Sequence, residues 1–355
     1  MNSPLDPAST LSVPESTPEF ATGSATDSAT DPAAGFDAVL RGGAYAILPQ
    51  FGVIDANGDD AATFLHSQLT NDIQHLDVTG ARLAGYCSPK GRLLASFLTW
   101  KTGDTIRLLI SRDVQASVQK RLSMFVLRAK AKLTDDSDKL LVVGLAGDVR
   151  GALASVFDAL PDGVHVKVDD PTGTLIRMPD AAGSLRYLWV GPKDAVEARL
   201  GKLDGALRRV SPAVWDWLDI RAGEPRITHA VSEQFVPQMV NYDVLGGVNF
   251  RKGCYPGQEI VARSQYRGTI KRRTALANVA AGVEVAHAGV ELFHSDDPAQ
   301  PCGMVVNAAA APDGGVDLLA EIKLAALETG SVHLGAADGP VLRMLPLPYA
   351  LPVEG

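Results

Sequence analysis

Residues Gly246 to Arg273 read GGVNFRKGCYPGQEIVARSQYRGTIKRR, the densest run of chemistry in this 355-residue chain. Pro256-Gly257 suits the two central positions of a type II turn, because proline presets φ and glycine accepts the positive φ that follows. Tyr255, just before the proline, is then extended. Gln258 to Tyr266 carries Ile260, Val261 and Ala262, with Glu259 in the first turn, and Gly268 stands where a left-handed C-terminal cap belongs. The stretch reads as turn, helix and stop.

Cys254 lies shortly before that helix start, with Arg251, Lys252 and Arg263 nearby, and both surroundings favour thiolate. It reads either as a reactive or ligating thiol or as a small buried apolar residue, the usual fate of a free cysteine. The lysine-glycine before it and the tyrosine-proline-glycine turn after it favour the first reading. From Arg251 to Arg273 there are seven Lys/Arg against one acid, Glu259, on a chain of net charge −8. That concentration points to an anionic ligand or partner, with a solvated basic helix face as the alternative.

At 46% hydrophobic and 21% charged residues, the composition is that of a water-soluble globular protein, and the length suggests two or three domains. The acidic balance argues against non-specific nucleic-acid binding by the whole surface. Cys87, Cys254 and Cys302 are far apart and odd in number, which speaks for a reducing compartment and against a disulfide framework. No CxxC pair exists, so a complete zinc or iron–sulfur site held by this chain alone is not expected. His287, His294 and His333 are too irregularly spaced to suggest a metal site.

The first 35 residues are rich in Ser, Thr, Ala and Pro and contain no Lys or Arg, which predicts a disordered tail rather than a targeting segment. No apolar stretch is long enough for a membrane span. From Tyr45 onward short strands (46–48, 51–54) lead into a helix capped by Asn57 or Asp59, then strands over 81–87, 92–100 and 105–111 and a helix from Asp113 to Phe125. Helices alternate with groups of strands, so the fold class is α+β with a mainly antiparallel sheet. Lys139 to Leu203 reads as strand, helix (148–160), three strands and helix (192–203), the order of a ferredoxin-like module. His165, inside it, reads as structural. After Arg273, short apolar runs broken by Gly, Pro, Asp and Asn suggest a small antiparallel barrel or sandwich. The predicted units are a tail (1–36), a core in two parts (37–135 and 205–272), the ferredoxin-like module (136–204) and a C-terminal β-barrel (273–355).

Ser211-Pro212 reads as a helix start with proline at the first helical position. Val214, Trp217, Leu218 and the stem of Arg221 share one face of the helix that follows, while Trp215 and Asp219 lie four apart on another. An aromatic plane beside a carboxylate suits a flat heterocycle with ring nitrogens, and core filling explains Trp215 equally well on spacing alone.

Lys252-Gly253-Cys254-Tyr255-Pro256-Gly257-Gln258-Glu259, continuing to Arg263, resembles the signature of the YgfZ-type folate-binding proteins, relatives of the glycine-cleavage T protein, an aminomethyltransferase. Gln68-Leu69-Thr70-Asn71-Asp72, the stretch from Ala222-Gly223-Glu224-Pro225 through Phe235-Val236-Pro237-Gln238, Asn241 and Leu347-Pro348-Tyr349 resemble the family as well. The resemblance implies a multidomain T-protein-like fold and tetrahydrofolate as the bound cofactor. It implies that Trp215 contacts folate, with Phe51 at the position of a second aromatic, usually tryptophan, and Asp219 nearby. It implies an accessory function for iron–sulfur enzymes, and through them for tRNA thiolation or methylthiolation, in the cytoplasm. Expected partners are those enzymes and cluster carriers, with no direct nucleic-acid reading and no membrane. Cys254 is then the functional thiol. The alternative is a true aminomethyltransferase, whose aspartate at the folate nitrogen matches Ala95 in Lys90-Gly91-Arg92-Leu93-Leu94-Ala95-Ser96. Alanine offers no general base there.

Overall fold

The structure, a computed structural model, describes residues 32–266 and 270–352. Two antiparallel sheets face each other across a shared apolar core, and each carries helices on its outer side. The five-stranded sheet has the spatial order Ala81–Cys87, Leu93–Thr102, Thr105–Ser111, Phe51–Asn57, Lys132–Asp135. Its strands alternate with period two. Ile54, Ala84, Ala95 and Leu108 pack outward under the helices Ala61–Gln68 and Arg112–Met124, while Val53, Leu98, Trp100 and Leu109 face the shared core.

The six-stranded sheet has the order Arg208–Arg209, Gly43–Ile47, Leu140–Gly147, Ser184–Pro192, Gly173–Ala181, Lys167–Asp170. Val143, Leu145, Leu175 and Trp189 pack outward against Leu153, Val196 and Leu200 of the short helices Arg150–Ala154 and Lys193–Leu200. This sheet modifies the expected ferredoxin-like module. Strands 140–147, 184–192 and 173–181 keep the first, third, second order, but the slot beside the first strand is filled by Gly43–Ile47 from the N-terminal region. The two-residue strand Arg208–Arg209, not expected from the sequence, pairs in parallel on the far side of Gly43–Ile47. The expected helix over 148–160 is cut to the five residues Arg150–Ala154.

A helix absent from the sequence reading, Pro32–Arg41, begins inside the stretch read as tail and runs past its end, and its Phe36 meets Trp217 edge-on with ring centres 5.2 Å apart. The expected tail over residues 1–31 lies outside the described residues, as does the expected cap at Gly268. The C-terminal sheet runs Val332–Leu334, Glu291–His294, Asp297–Ala310, Val316–Lys323, Arg272–Val279, Leu342–Leu345. It curls until its two edge strands meet at a His333–Val341 bridge, as the expected barrel requires. The helix Pro212–Arg221 joins the layers. Ser211 caps it by accepting from the Ala213 N–H at 3.3 Å, and Trp217 Nε1 donates to Asp317 of the barrel at 2.9 Å. Among the described residues no helix is long and apolar enough to cross a membrane.

Candidate functional site

The predicted turn forms. Gly257 has φ +78° and the Gln258 N–H donates to the Tyr255 carbonyl at 3.2 Å, after which the helix Gln258–Tyr266 begins. The reason for glycine is steric as well as torsional: a Cβ at Gly257 would stand 2.4 Å from the Ser88 carbonyl oxygen and 2.6 Å from the Gly91 Cα. Gly91, at φ +71°, is pressed in turn against Ile260. The turn is thus seated on the loop Ser88–Gly91 by two facing glycines.

The upstream half of the motif is tied to the segment that follows the helix Ala61–Gln68. Thr70 Oγ1 donates to the Gly247 carbonyl at 2.6 Å, Asn71 Nδ2 to the Gly246 carbonyl at 2.7 Å, and the Asn249 N–H to the Thr70 carbonyl at 3.0 Å. Lys252 reaches back and donates to the carbonyls of Leu69, at 2.9 Å, and His66. Its ammonium also lies 4.8 Å from the centre of the Tyr255 ring. Burial pushes the Lys252 amine down to about 8, against the opposing pull of Asp72 and Cys254.

Cys254 is exposed at the apex of this construction, whereas Cys87 and Cys302 are buried. Burial pushes the Cys87 thiol up to about 12. The cations around Cys254 are arranged differently from the sequence expectation. Arg263 pairs with Glu259 at 3.2 Å, Lys252 is engaged by carbonyls, and Gly257, not Cys254, accepts the first helical N–H bonds. The motif therefore presents the thiol by anchoring its loop more than by surrounding it with charge.

The second candidate lies elsewhere, in the shared core. A cavity of about 70 Å³ is lined by Phe51, Trp215, Asp219, Glu224, Arg226 and Tyr242 among others. It unites the three residues expected at a folate site and does not include Cys254. Trp215 is 3% exposed. Its ring lies on Gly144, where a Cβ would stand 2.2 Å from Cε3 and 2.6 Å from both ring neighbours, that is, over the aromatic face. The Arg186 guanidinium lies 4.7 Å from the Trp215 ring centre, and the Arg226 guanidinium 4.6 Å from that of Phe51. Between these pairs, Arg186 bridges Asp219 at 3.0 Å and Glu224 at 2.8 Å. Burial pushes the Asp219 carboxyl up to about 7, because the lowering by Arg186 is offset by Glu224, which shares the same guanidinium.

Arg186 Nε and Arg226 Nη1 are buried without a hydrogen-bond partner among the described residues. Of the two, Arg226 lines the cavity, and its donor beside two carboxylates that accept fits the mixed edge of a pterin, whose ring N–H groups and carbonyl need both. Ala95 requires a correction. It is fully buried on the outer face of its strand, against the helix side, and the cavity is met instead by Ser96, whose Oγ accepts from the Ile227 N–H at 2.9 Å. Arg186, Glu224, Arg226 and His165, whose Nε2 lies 3.8 Å from Glu224, belong to this cluster and were not found from sequence as site residues. Glu224 and Arg226 lay in a stretch that carried a family resemblance.

With both sites in view, comparison with known proteins separates the possibilities. The chain is 33% identical over 317 residues to the tRNA-modifying protein YgfZ of Serratia proteamaculans (strain 568), covering 86% of this chain and 92% of that one. It belongs to the YgfZ family. The tRNA-modifying protein YgfZ of Sodalis glossinidius (strain morsitans) is 31% identical over 306 residues, with the same coverage of each chain. No family model matches the sequence. Among solved structures, the glycine cleavage system aminomethyltransferase T of Bartonella henselae superposes with a TM-score of 0.71 at 15% identity, over 88% of this chain and 87% of that one. The T-protein-like fold is thereby established for this YgfZ-family chain. Stretches that suggested the family also meet in space: 68–72 with Lys252, whose ammonium donates to the Leu69 carbonyl, and 347–349 with 222–225, where the Tyr349 hydroxyl donates to the Gly223 carbonyl at 2.8 Å.

Proposed function

We propose that this chain is a tetrahydrofolate-binding accessory protein that supports iron–sulfur enzymes and, through them, the modification of tRNA. The observation that carries the reading is the pairing of a cavity lined by aromatic rings, two carboxylates and an unpartnered Arg226 donor with an exposed thiol anchored at a separate place. Folate occupies the cavity between Trp215 and Phe51, Asp219 and Glu224 accepting from its ring N–H groups and Arg226 donating to it. Cys254 acts on the partner side, giving one thiolate to a cluster in transit or to a mixed disulfide. Iron–sulfur enzymes and cluster carriers are the partners, in a reducing cytoplasm consistent with three unpaired cysteines. The names of the two relatives point to tRNA modification as the outcome.

The test is complementation of a deletion strain, read as activity of cluster-dependent enzymes. Cys254→Ser abolishes complementation while folding and folate affinity stay close to wild type, and Cys87→Ser with Cys302→Ser complements. Full complementation by Cys254→Ser defeats the reading.

A second reading is supported by Asp219, a cavity carboxyl that titrates near neutrality and thus has the character of a general base. Its engagement by Arg186 weighs against proton abstraction. Turnover of aminomethylated carrier protein with tetrahydrofolate, above a no-enzyme control, decides in favour of aminomethyl transfer.

A further inference from the structure

At the far end of the helix Ala61–Gln68 from the Cys254 loop lies a patch that the fold does not use. Residues 120–132 read KRLSMFVLRAKAK, five Lys/Arg and no acid on a chain of net charge −8. Leu122 is buried under the helix Arg112–Met124, but Met124, Phe125 and Leu127, where that helix ends, are 60%, 48% and 86% exposed. Leu127 is held at φ +42°, in the left-handed region that favours glycine or asparagine. A leucine there gains little by packing within the chain, so neither torsion nor burial accounts for it. Lys120 and Met124 stand four apart in the helix and share a face, and Arg128 directly follows Leu127. Among the described residues neither Lys120 nor Arg128 makes an ion pair, and Lys130 reaches only the exposed Asp59, at 3.4 Å.

The patch and the thiol are fastened to the same helix. The Lys130 N–H donates to the Asp60 carboxylate at 2.8 Å and the Lys130 carbonyl accepts from the Asp60 N–H at 3.1 Å, at the start of Ala61–Gln68. Lys252 is tied to the carbonyls of His66 and Leu69 at its other end. The eight residues between span about 12 Å. One partner of ordinary footprint, about 800 Å² on each side, covers both.

We propose that Met124, Phe125 and Leu127, rimmed by Lys120 and Arg128, dock a partner protein whose contact face is apolar at its centre and acidic at its rim, and that the same partner meets Cys254. Large apolar side chains ringed by charge are the anatomy of a protein interface. Nucleic acid is the poorer occupant, because phosphates offer nothing to three apolar side chains and are repelled by the acidic remainder of the chain. For an acidic partner, the unpaired cations supply steering towards this one end of a molecule that otherwise repels it.

This inference rests on the reading of Cys254 as facing a partner, and its test is separable from that reading. The photoreactive residue p-benzoylphenylalanine replaces Leu127 in the otherwise intact chain, the cells that make it are irradiated, and adducts are mapped by mass spectrometry. The expected adduct is to a protein, on a peptide with more Asp and Glu than Lys and Arg. Its yield falls about tenfold when Lys120→Glu and Arg128→Glu are added, two exposed changes that leave the thermal melt unaltered. The same photoreactive residue at the exposed Arg251 marks the same protein. No adduct, an adduct to RNA or lipid, a peptide without the acidic excess, a yield indifferent to the charge reversals, or a different protein at Arg251 overturns the proposal. Complementation by Cys254→Ser would sink the proposed function while leaving these adducts to decide the docking surface.

Discussion

Lys252 donates its ammonium to the carbonyl of Leu69 at 2.9 Å, fastening the loop of Cys254 to a segment 183 residues earlier in the chain. A half-buried amine with two carbonyl partners is an anchor whose removal leaves those oxygens without a charged donor. Lys252→Met is expected to lower stability by about 1–3 kcal/mol, the range for hydrogen bonds from charged groups. Urea denaturation measures it, and an unchanged midpoint means that the lysine is not an anchor.

Gly257→Ala tests the seat of the turn. At φ +78° a side chain alone costs about 1–3 kcal/mol, and the Ser88 carbonyl 2.4 Å from the new Cβ adds a clash with backbone that has no rotamer to move. Gly246→Ala, at φ +75° with nothing within 4 Å, carries the torsional cost without the clash. Thermal melts should rank Gly257→Ala clearly below Gly246→Ala. Equal melting temperatures would show that the Ser88–Gly91 loop yields freely.

For the cavity, Trp215→Ala is expected to weaken tetrahydrofolate binding by about 1–3 kcal/mol in calorimetry, through loss of an aromatic contact. The same change leaves a void against Gly144 and lowers stability, so affinity is read below the unfolding transition. Trp215→Phe retains a ring and most of the affinity. Wild-type affinity in Trp215→Ala removes this residue from the site.

Asp219 makes stability depend on pH in a defined direction. Its folded-state value of about 7 lies above its ordinary 3.8, so between these values the folded chain binds a proton that the unfolded chain has released. Its contribution to stability therefore falls as pH rises through that window and levels off above about pH 7. Asp219→Asn removes this fall. Urea midpoints of wild type and variant, taken from about pH 4 to about pH 8, should diverge in the variant's favour as pH rises; parallel curves would exclude a raised Asp219.

Local chemistry was legible wherever a short stretch determines its own geometry. Pro256-Gly257 produced the turn, Ser211-Pro212 the helix start, and alternation the strands at 81–87 and 105–111. The four-residue spacing of Trp215 and Asp219 placed both on the cavity side of one helix. What failed was partnership at a distance. Gly43–Ile47 joined a sheet read as a self-contained module, and Ala95 and Ser96 exchanged their expected faces because a strand's register is set by the sheet it enters. The helix cap expected at Asn57 or Asp59 falls instead on Asp60, whose carboxylate accepts from the Lys130 N–H at 2.8 Å rather than from its own helix.

By itself, the sequence determined the α+β class and the family through its KGCYPGQE motif, because turn torsions, amphipathic spacing and motif residues are properties of neighbours in the chain. Tertiary structure alone decided that Lys252 fastens its loop to the carbonyls of His66 and Leu69, that Arg186 ties Asp219 to Glu224, and that thiol and cavity are separate places. Each of these is a contact between residues remote in sequence, and burial fixes its strength, a quantity that no local pattern contains.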